Sequence, residues 1–300
     1  MENFIGELMA LGAALSFSLA STTFTLAGRK FGASVSMALS LVFSLIFLLP
    51  LHQIMYGELF PMAASGQRWL VLGASSLAGF VMSALFLLRA FQAIGPRLTL
   101  LIGATSPIFA TVLAWLLLGQ GLPSYAVLGI ALVLGGVITV VSGDAQNSIQ
   151  SRHADYSRGL LMALAAAVLQ GTSFVLMSEG VADDFPVMSA SIMRTVFALA
   201  VLWLLIALRG KLRQNLRLII DQPRALLLIA LASLTGPVLG ATLVLASLQF
   251  TSVGISSTLT GTTPILLIPI GFVVFGERIT RRAIGGTCVA VAGVALLFAS

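Results

Sequence analysis

Long stretches without a charged residue alternate along this chain with short polar turns. Residues 98–143 and residues 225–276 contain no Asp, Glu, Lys or Arg. Each stretch is too long for one membrane-crossing helix and suits two, because a span needs about 20 apolar residues. Uncharged runs of single-span length fill residues 8–28, 31–57, 69–88, 159–178 and 283–300. Residues 185–208 form one more, interrupted only by Arg194. The runs are continuous, whereas a barrel strand of about 9–11 residues would alternate apolar and polar positions. Helices also satisfy their own backbone polar groups in lipid. The pattern predicts an all-α membrane protein with ten transmembrane helices.

Composition agrees with the pattern. Of 300 residues, 58% are apolar and 9% are charged, and the mean hydropathy is +1.07. A soluble domain carries about 25% charge, and a chain of this length has too little interior to hide so much apolar surface. The surplus must face lipid. The lone cysteine, Cys288, forms no intrachain disulfide and no cysteine cluster, and reads as a small packing residue. His52 and His153 lie near predicted helix ends and are not spaced as a metal pair. No metal and no cofactor are expected. No nucleotide loop or acid–base constellation is present, so an enzyme is not expected. The start, MENFIGELMALG, lacks a basic segment before its apolar run, so the first span is expected to remain in the mature protein.

The sequence pI of about 10.4 invites a nucleic-acid reading, which the placement of the charges opposes. With ten spans, both termini and the loops leading from an even to an odd span share one side. That side carries Arg68. The opposite loops carry Arg29, Lys30, Arg89, Arg97, Arg152, Arg158, Arg209, Lys211, Arg213, Arg217, Arg224, Arg278, Arg281 and Arg282, a ratio of 14 to 1. Basic loops are retained in the cytoplasm. Both termini are therefore expected outside it. The basic excess is a topology signal that also suits anionic lipid headgroups, and no nucleic-acid partner is expected.

The chain repeats itself. Residues 6–14 read GELMALGAA and residues 159–167 read GLLMALAAA, at an offset of 153. Later the offset is 157, where Gln92, Thr105 and Pro107 match Gln249, Thr262 and Pro264. Gly119, Gly129 and Gly136 match Gly276, Gly286 and Gly293 at the same offset. The predicted units are a first five-helix repeat over 1–142, a polar linker over 143–158 (GDAQNSIQSRHADYSR) and a second repeat over 159–300. Five is odd, so the second half must enter the membrane from the opposite side. Inverted repeats related by a two-fold axis in the membrane plane are a recurring transporter design.

Residues 246–282 read ASLQFTSVGISSTLTGTTPILLIPIGFVVFGERITRR. This resembles the signature of the drug/metabolite transporter superfamily, in its ten-helix EamA-type branch. Leu248, Ser252, Pro264, Gly276, Glu277 and Arg278 occupy the signature positions, and Ala90, Phe91, Pro107 and Gly119 correspond in the first half. The turn LGQGLP places Gln120 and Gly121 where the second half has Glu277 and Arg278. Phe17-Ser18 and Gln170-Gly171 stand where the family usually has Trp-Gly. Arg194 fits the family's arginine in the second span of a half, and its first-half counterpart is Leu41. The resemblance implies a carrier of small metabolites such as amino acids, aromatic ones included, nucleosides or sugar phosphates, often moved outward. It also implies a home in the bacterial inner membrane.

Several residues are candidates for the passage. Arg194 lies about eight residues into its span, roughly 12 Å deep at ~1.5 Å per residue. An intramembrane arginine must face a cavity or a partner; it reads as a clamp for a carboxylate or phosphate, or as a partner of helix-end carbonyls or of Glu179. Pro107 and Pro264 each remove a backbone donor and are expected to bend spans four and nine. Gly79, Gly236, Pro237 and Gly240 are expected to loosen spans three and eight. Gly129, Gly136, Gly286 and Gly293 read as close-packing faces of spans five and ten. Ser16, Ala20 and Thr23 share a face of span one, Gln170 and Ser173 share a face of span six, and Thr260, Thr262 and Thr263 precede the bend in span nine. Such hydroxyls line a pathway or bond their own helix. Phe17, Phe86, Trp115 and Phe174 either stack on a planar cargo or face lipid and core. No acid is expected deep in a span, which disfavours coupling through a buried carboxylate. The expected function is a secondary transporter of small metabolites, amino acids first, working by alternating access as an exporter; a channel or a lipid or nucleotide-sugar carrier of the same fold is the alternative.

Overall fold

The computed structural model describes residues 2–31, 33–142, 153–208, 222–275 and 280–298. Most of the linker, the turn at Gly276, Glu277 and Arg278, and the loop cations Arg152, Arg209, Lys211, Arg213 and Arg217 lie outside the described residues. All regular structure among the described residues is helical. Ten helices are long and apolar enough to cross a bilayer. Spans 1 to 5 are Phe4–Phe24, Val35–Tyr56, Gly66–Gly95, Leu98–Leu118 and Ser124–Val141. Spans 6 to 10 are Tyr156–Gly180, Val187–Leu208, Pro223–Phe250, Val253–Ile270 and Arg281–Phe298.

Local chemistry sets the ends. Ser65 caps span 3 by accepting from the Arg68 N–H, and Ser252 caps span 9 by accepting from the Ile255 N–H. Gly95, at φ 77°, separates span 3 from span 4, and Gly119, at φ 64°, ends span 4 in the left-handed conformation that favours glycine. Large apolar side chains point outward as a lipid-facing surface, among them Leu70, Leu116, Trp115 and Val273. Trp115, 61% exposed, thus faces away from any passage.

The two halves repeat in backbone detail. A seven-residue π-helical segment interrupts span 3 at Leu77–Ser83 and span 8 at Leu234–Gly240, again 157 residues apart. Gly79 packs against Ser173, while Gly236 packs against Ala20. Gly6 abuts Phe250 and Thr251, while Gly159 abuts Ala93 and Ile94. Each pair converts into the other under the two sequence offsets. Spans 5 and 10 cross their own partner in antiparallel register. A Cβ on Gly136 would lie 2.5 Å from the Gly286 carbonyl oxygen, and one on Gly129 would lie 3.2 Å from that of Gly293. Residues 129 and 286 are themselves equivalent, as are 136 and 293, so a two-fold axis passes through this contact. The fold is two inverted five-helix repeats.

Alternate crossing gives the bundle two ends. One end, the terminal side, holds Glu2, Phe298 and residues 57–65, 119–123, 181–186 and 251–252. The other, the linker side, holds the span ends at Gly95, Val141 and Leu208. The largest apolar cluster, containing Leu72, Phe174, Met177, Met193, Leu248 and Val253, draws on both halves and lies toward the terminal side.

Candidate functional site

Spans 4 and 9 are each broken near mid-length, in the same way. In span 4 a helical segment ends at Gly103 and another starts at Ser106. Ala104 N–H donates to Leu100 O at 2.9 Å, Thr105 N–H turns to Ile102 O at 3.0 Å, and the Thr105 hydroxyl donates to the same carbonyl at 2.6 Å. In span 9, Gly261 N–H donates to Ser257 O at 2.9 Å, Thr262 N–H to Leu259 O at 3.1 Å, and the Thr262 hydroxyl to Leu259 O at 2.7 Å. The threonine diverts its own amide from the carbonyl four residues back to the one three back. Pro107 and Pro264 follow as the second residue of the next segment, where a missing N–H leaves no gap. The expected proline bend is therefore a helix break that the threonine makes and the proline continues. Gly79, Gly236 and Pro237 fall inside the two π-helical segments, which add a residue to a turn.

Both breaks open onto one cavity of about 710 Å³. Gly103, Ala104 and Pro107 line it from the first half, and Thr260, Gly261 and Pro264 from the second. Its end nearest the terminal side is walled by Arg194, Met177 and Val244. Its other end reaches Leu87, Leu100, Val141 and Leu267, toward the linker side. Phe17, Phe80 and Phe174 supply aromatic surface, and Gln170 supplies the one carboxamide.

Arg194 is 4% exposed and, among the described residues, is the sole ionisable side chain in the lining. Its Nε donates to the Ser75 hydroxyl at 3.0 Å. Its guanidinium carbon lies 4.8 Å from the centre of the Phe80 ring, a cation–π contact. Two further bonds hold the frame: Ser173 donates to Ser75 O at 2.8 Å, and Ser76 donates to Arg194 O at 2.6 Å. The anticipated pairing with Glu179 does not form. Among the described residues no acceptor meets the two Nη nitrogens. One edge and one face of the guanidinium are thus fixed, and the remaining edge is left for something in the cavity.

Of the residues proposed from sequence, Arg194, Phe17, Gln170, Phe174, Thr260, Thr263, Pro107 and Pro264 line this cavity. Ser16, Thr23, Ser173 and Phe86 lie outside its wall. Thr23 donates to Leu19 O and Ala20 O of its own helix, and Ser173 braces Ser75. Ser16 is buried in packing. Phe86 sits one position, about 100° of helix rotation, from the lining residue Leu87. The Thr263 hydroxyl, though in the wall, donates to Thr260 O at 2.7 Å. Phe80, Ser83, Ser106 and Ser257 line the cavity without having been singled out. Phe80 carried one usable signal, since it follows Gly79 at a close helix contact. Glu7 is a second surprise. It lies near the start of span 1, is 2% exposed, and its Oε1 has no partner among the described residues.

Polar contacts tie the halves together on the terminal side. Arg68 donates to Asp183 Oδ2 at 3.1 Å and to Ala182 O at 3.2 Å, and its guanidinium carbon lies 4.5 Å from the Phe185 ring centre. Gln249 holds the same loop by donating to Val181 O and Phe185 O. Asp183 and Asp184 are both left-handed there, at φ 56° and 54°, a conformation costly for a side-chain-bearing residue. The Val253 N–H donates to Gln120 Oε1 at 3.0 Å. Buried His52 donates from Nδ1 to Glu58 O at 2.6 Å, which leaves Nε2 to accept from the Ser189 hydroxyl at 2.8 Å.

The sequence pattern of the EamA-like transporter family matches residues 4–142 and, a second time, residues 157–299. No curated protein matches the chain in sequence. A protein solved by crystallography is similar in fold, with a TM-score of 0.73 over 97% of this chain and 94% of its own, at 18% identity.

Proposed function

Because the chain belongs to the EamA-like transporter family, we propose that it carries small carboxylate-bearing metabolites by alternating access, amino acids and aromatic amino acids included. The observation that carries this reading is the cavity at the two helix breaks, with an unengaged guanidinium edge inside it. The Phe17, Phe80 and Phe174 rings and a volume of about 710 Å³ suit an aromatic side chain. A bidentate arginine suits a carboxylate.

The symmetry supports alternating access. The cavity reaches toward the linker side while Arg68, Gln120 and His52 hold the terminal side closed. Exchanging the roles of the two halves would close the linker side and open the other. A passage held shut at one end is a carrier's resting geometry and not a channel's. The excess of Lys and Arg on the linker side supports a cytoplasmic position for that side. The cavity then loads from the cytoplasm, which suits an exporter in a bacterial inner membrane.

Counterflow in proteoliposomes tests the reading. Vesicles preloaded with an unlabelled amino acid should accumulate the labelled one transiently and saturably. Flux that rises linearly with concentration and shows no counterflow would leave the channel alternative.

A further inference from the structure

The cavity's charges are unbalanced. Arg194 contributes one positive charge that persists at any physiological pH, and among the described residues no Asp, Glu or His lines the cavity. An α-amino acid brings a carboxylate that Arg194 neutralises and an ammonium that nothing neutralises. That ammonium would leave water for hydroxyls and one carboxamide. The Thr263 and Ser83 hydroxyls, which donate to Thr260 O and Ala166 O, offer it only neutral lone pairs, and the Thr260 hydroxyl oxygen is sealed inside the protein. Gln170 adds one more neutral acceptor, and none of these cancels the charge. Burying a cation without an anionic partner is costly. A carboxylate with no ammonium leaves the loaded cavity neutral, and its apolar body meets Phe17, Phe174 and Met177.

We propose that this cavity is a monocarboxylate site. It takes net-anionic acids with an apolar or aromatic body, and for a given carbon skeleton it prefers the acid without the ammonium group to the α-amino acid. The inference rests on the transporter reading of the same cavity and ranks the cargoes within it. It also assigns Phe80 and Ser75 a positioning role: they fix the face and the Nε edge of Arg194, so the Nη edge meets the carboxylate.

The test uses four probes of one skeleton on the purified full chain in lipid nanodiscs: 3-phenylpropanoate, phenylalanine, 3-phenylpropanamide and phenethylamine. Calorimetric titration should show 3-phenylpropanoate binding about tenfold or more tighter than phenylalanine, the scale of leaving the buried ammonium of phenylalanine without an anionic partner. Phenethylamine should bind weakest. Arg194→Gln should abolish the advantage of the acid over the amide while the amide still binds. Arg194→Lys should keep part of it. Phenylalanine binding as tightly as 3-phenylpropanoate would overturn the proposal, and so would an acid preference that survives Arg194→Gln. Failure of all four probes to bind would also overturn it. The wild-type comparison needs no variant, so a variant that misfolds does not protect the idea. Acid-selective binding without flux in proteoliposomes would sink the transport reading and leave this site standing. Flux that favours phenylalanine would do the reverse.

Discussion

The two halves of this molecule can be laid over one another residue by residue, and the overlay separates what is shared from what is not. Thr105 and Thr262 divert the same backbone bond, Leu77–Ser83 and Leu234–Gly240 are both π-helical, and the glycines of spans 3 and 8 press on equivalent positions of spans 6 and 1. The side chains diverge. Arg194 faces the cavity in the second half, whereas Leu41 sits 1% exposed in an apolar cluster with Ala38, Val81, Ala198 and Leu202. Thr260 stands where the first half has Gly103, and Gln170 stands where it has Phe17. On the proposed cycle, equivalent backbones would give two conformations of similar energy, and unequal side chains would let one half grip the cargo. Movement and recognition would then be carried by different layers of the same duplication.

Restoring chemical symmetry should cause the largest damage. Leu41→Arg would place a charge among apolar side chains with no partner. A loss of about 3–5 kcal/mol is expected, the scale of an uncompensated buried charge. It should appear as loss of monodisperse protein on size exclusion. Normal yield and melting would show that the first half has a hidden acceptor and is less different than described.

Next in size is the contact on the two-fold axis. Gly136→Leu would drive a side chain into the Gly286 carbonyl and Ala290. Overpacking of this kind costs about 1–3 kcal/mol, read as a lower Tm in nanodiscs. Gly286→Leu should cost about the same, because it meets Gly136 O and Val140 in return. A large difference between the two would argue against the axis.

The paired breaks offer a finer probe. Thr105→Val and Thr262→Val keep shape and remove one hydroxyl bond each, worth about 1 kcal/mol. Similar Tm shifts are expected from both. Only Thr262→Val should also slow cargo release, because its break carries Thr260 and Thr263 in the cavity wall. Equal effects on flux would mean that both breaks move alike and neither is tuned to cargo.

The smallest effect is expected at the terminal side. Arg68→Ala removes a partly exposed ion pair and a cation–π contact, together worth on the order of 1 kcal/mol. Stability should hardly change. Labelling of a cysteine introduced at Val244 by a membrane-impermeant reagent should nevertheless rise severalfold, since a small bias shifts populations between two near-equal states. Unchanged labelling would remove Arg68 from the closure.

Lipid made much of this legible in the sequence. It tolerates few charges, so ten spans, the repeat and the isolated Arg194 stood out against an apolar background. The cavity wall was harder to read, because a serine in a membrane helix looks the same whether it faces cargo or its own backbone. Thr23 and Ser173 were chosen by face and proved engaged elsewhere, whereas Ser83 and Ser257 were passed over and proved to line the cavity. The π-helical segments left no compositional mark, and each rotates the face beyond it. Phe86 was chosen as an aromatic and not by its face, and Leu87 beside it lines the cavity instead. The burial of Glu7 depends on neighbours that a single span does not reveal.

The glycine contact between spans 5 and 10 has a consequence for how such a chain arose. Its surfaces recognise their own equivalents, so two separate copies of one half, inserted in opposite directions, could have assembled along it before any peptide joined them. On that view the segment at 143–158 supplies local concentration and fixed stoichiometry, and freed each copy to accumulate substitutions that its twin did not share.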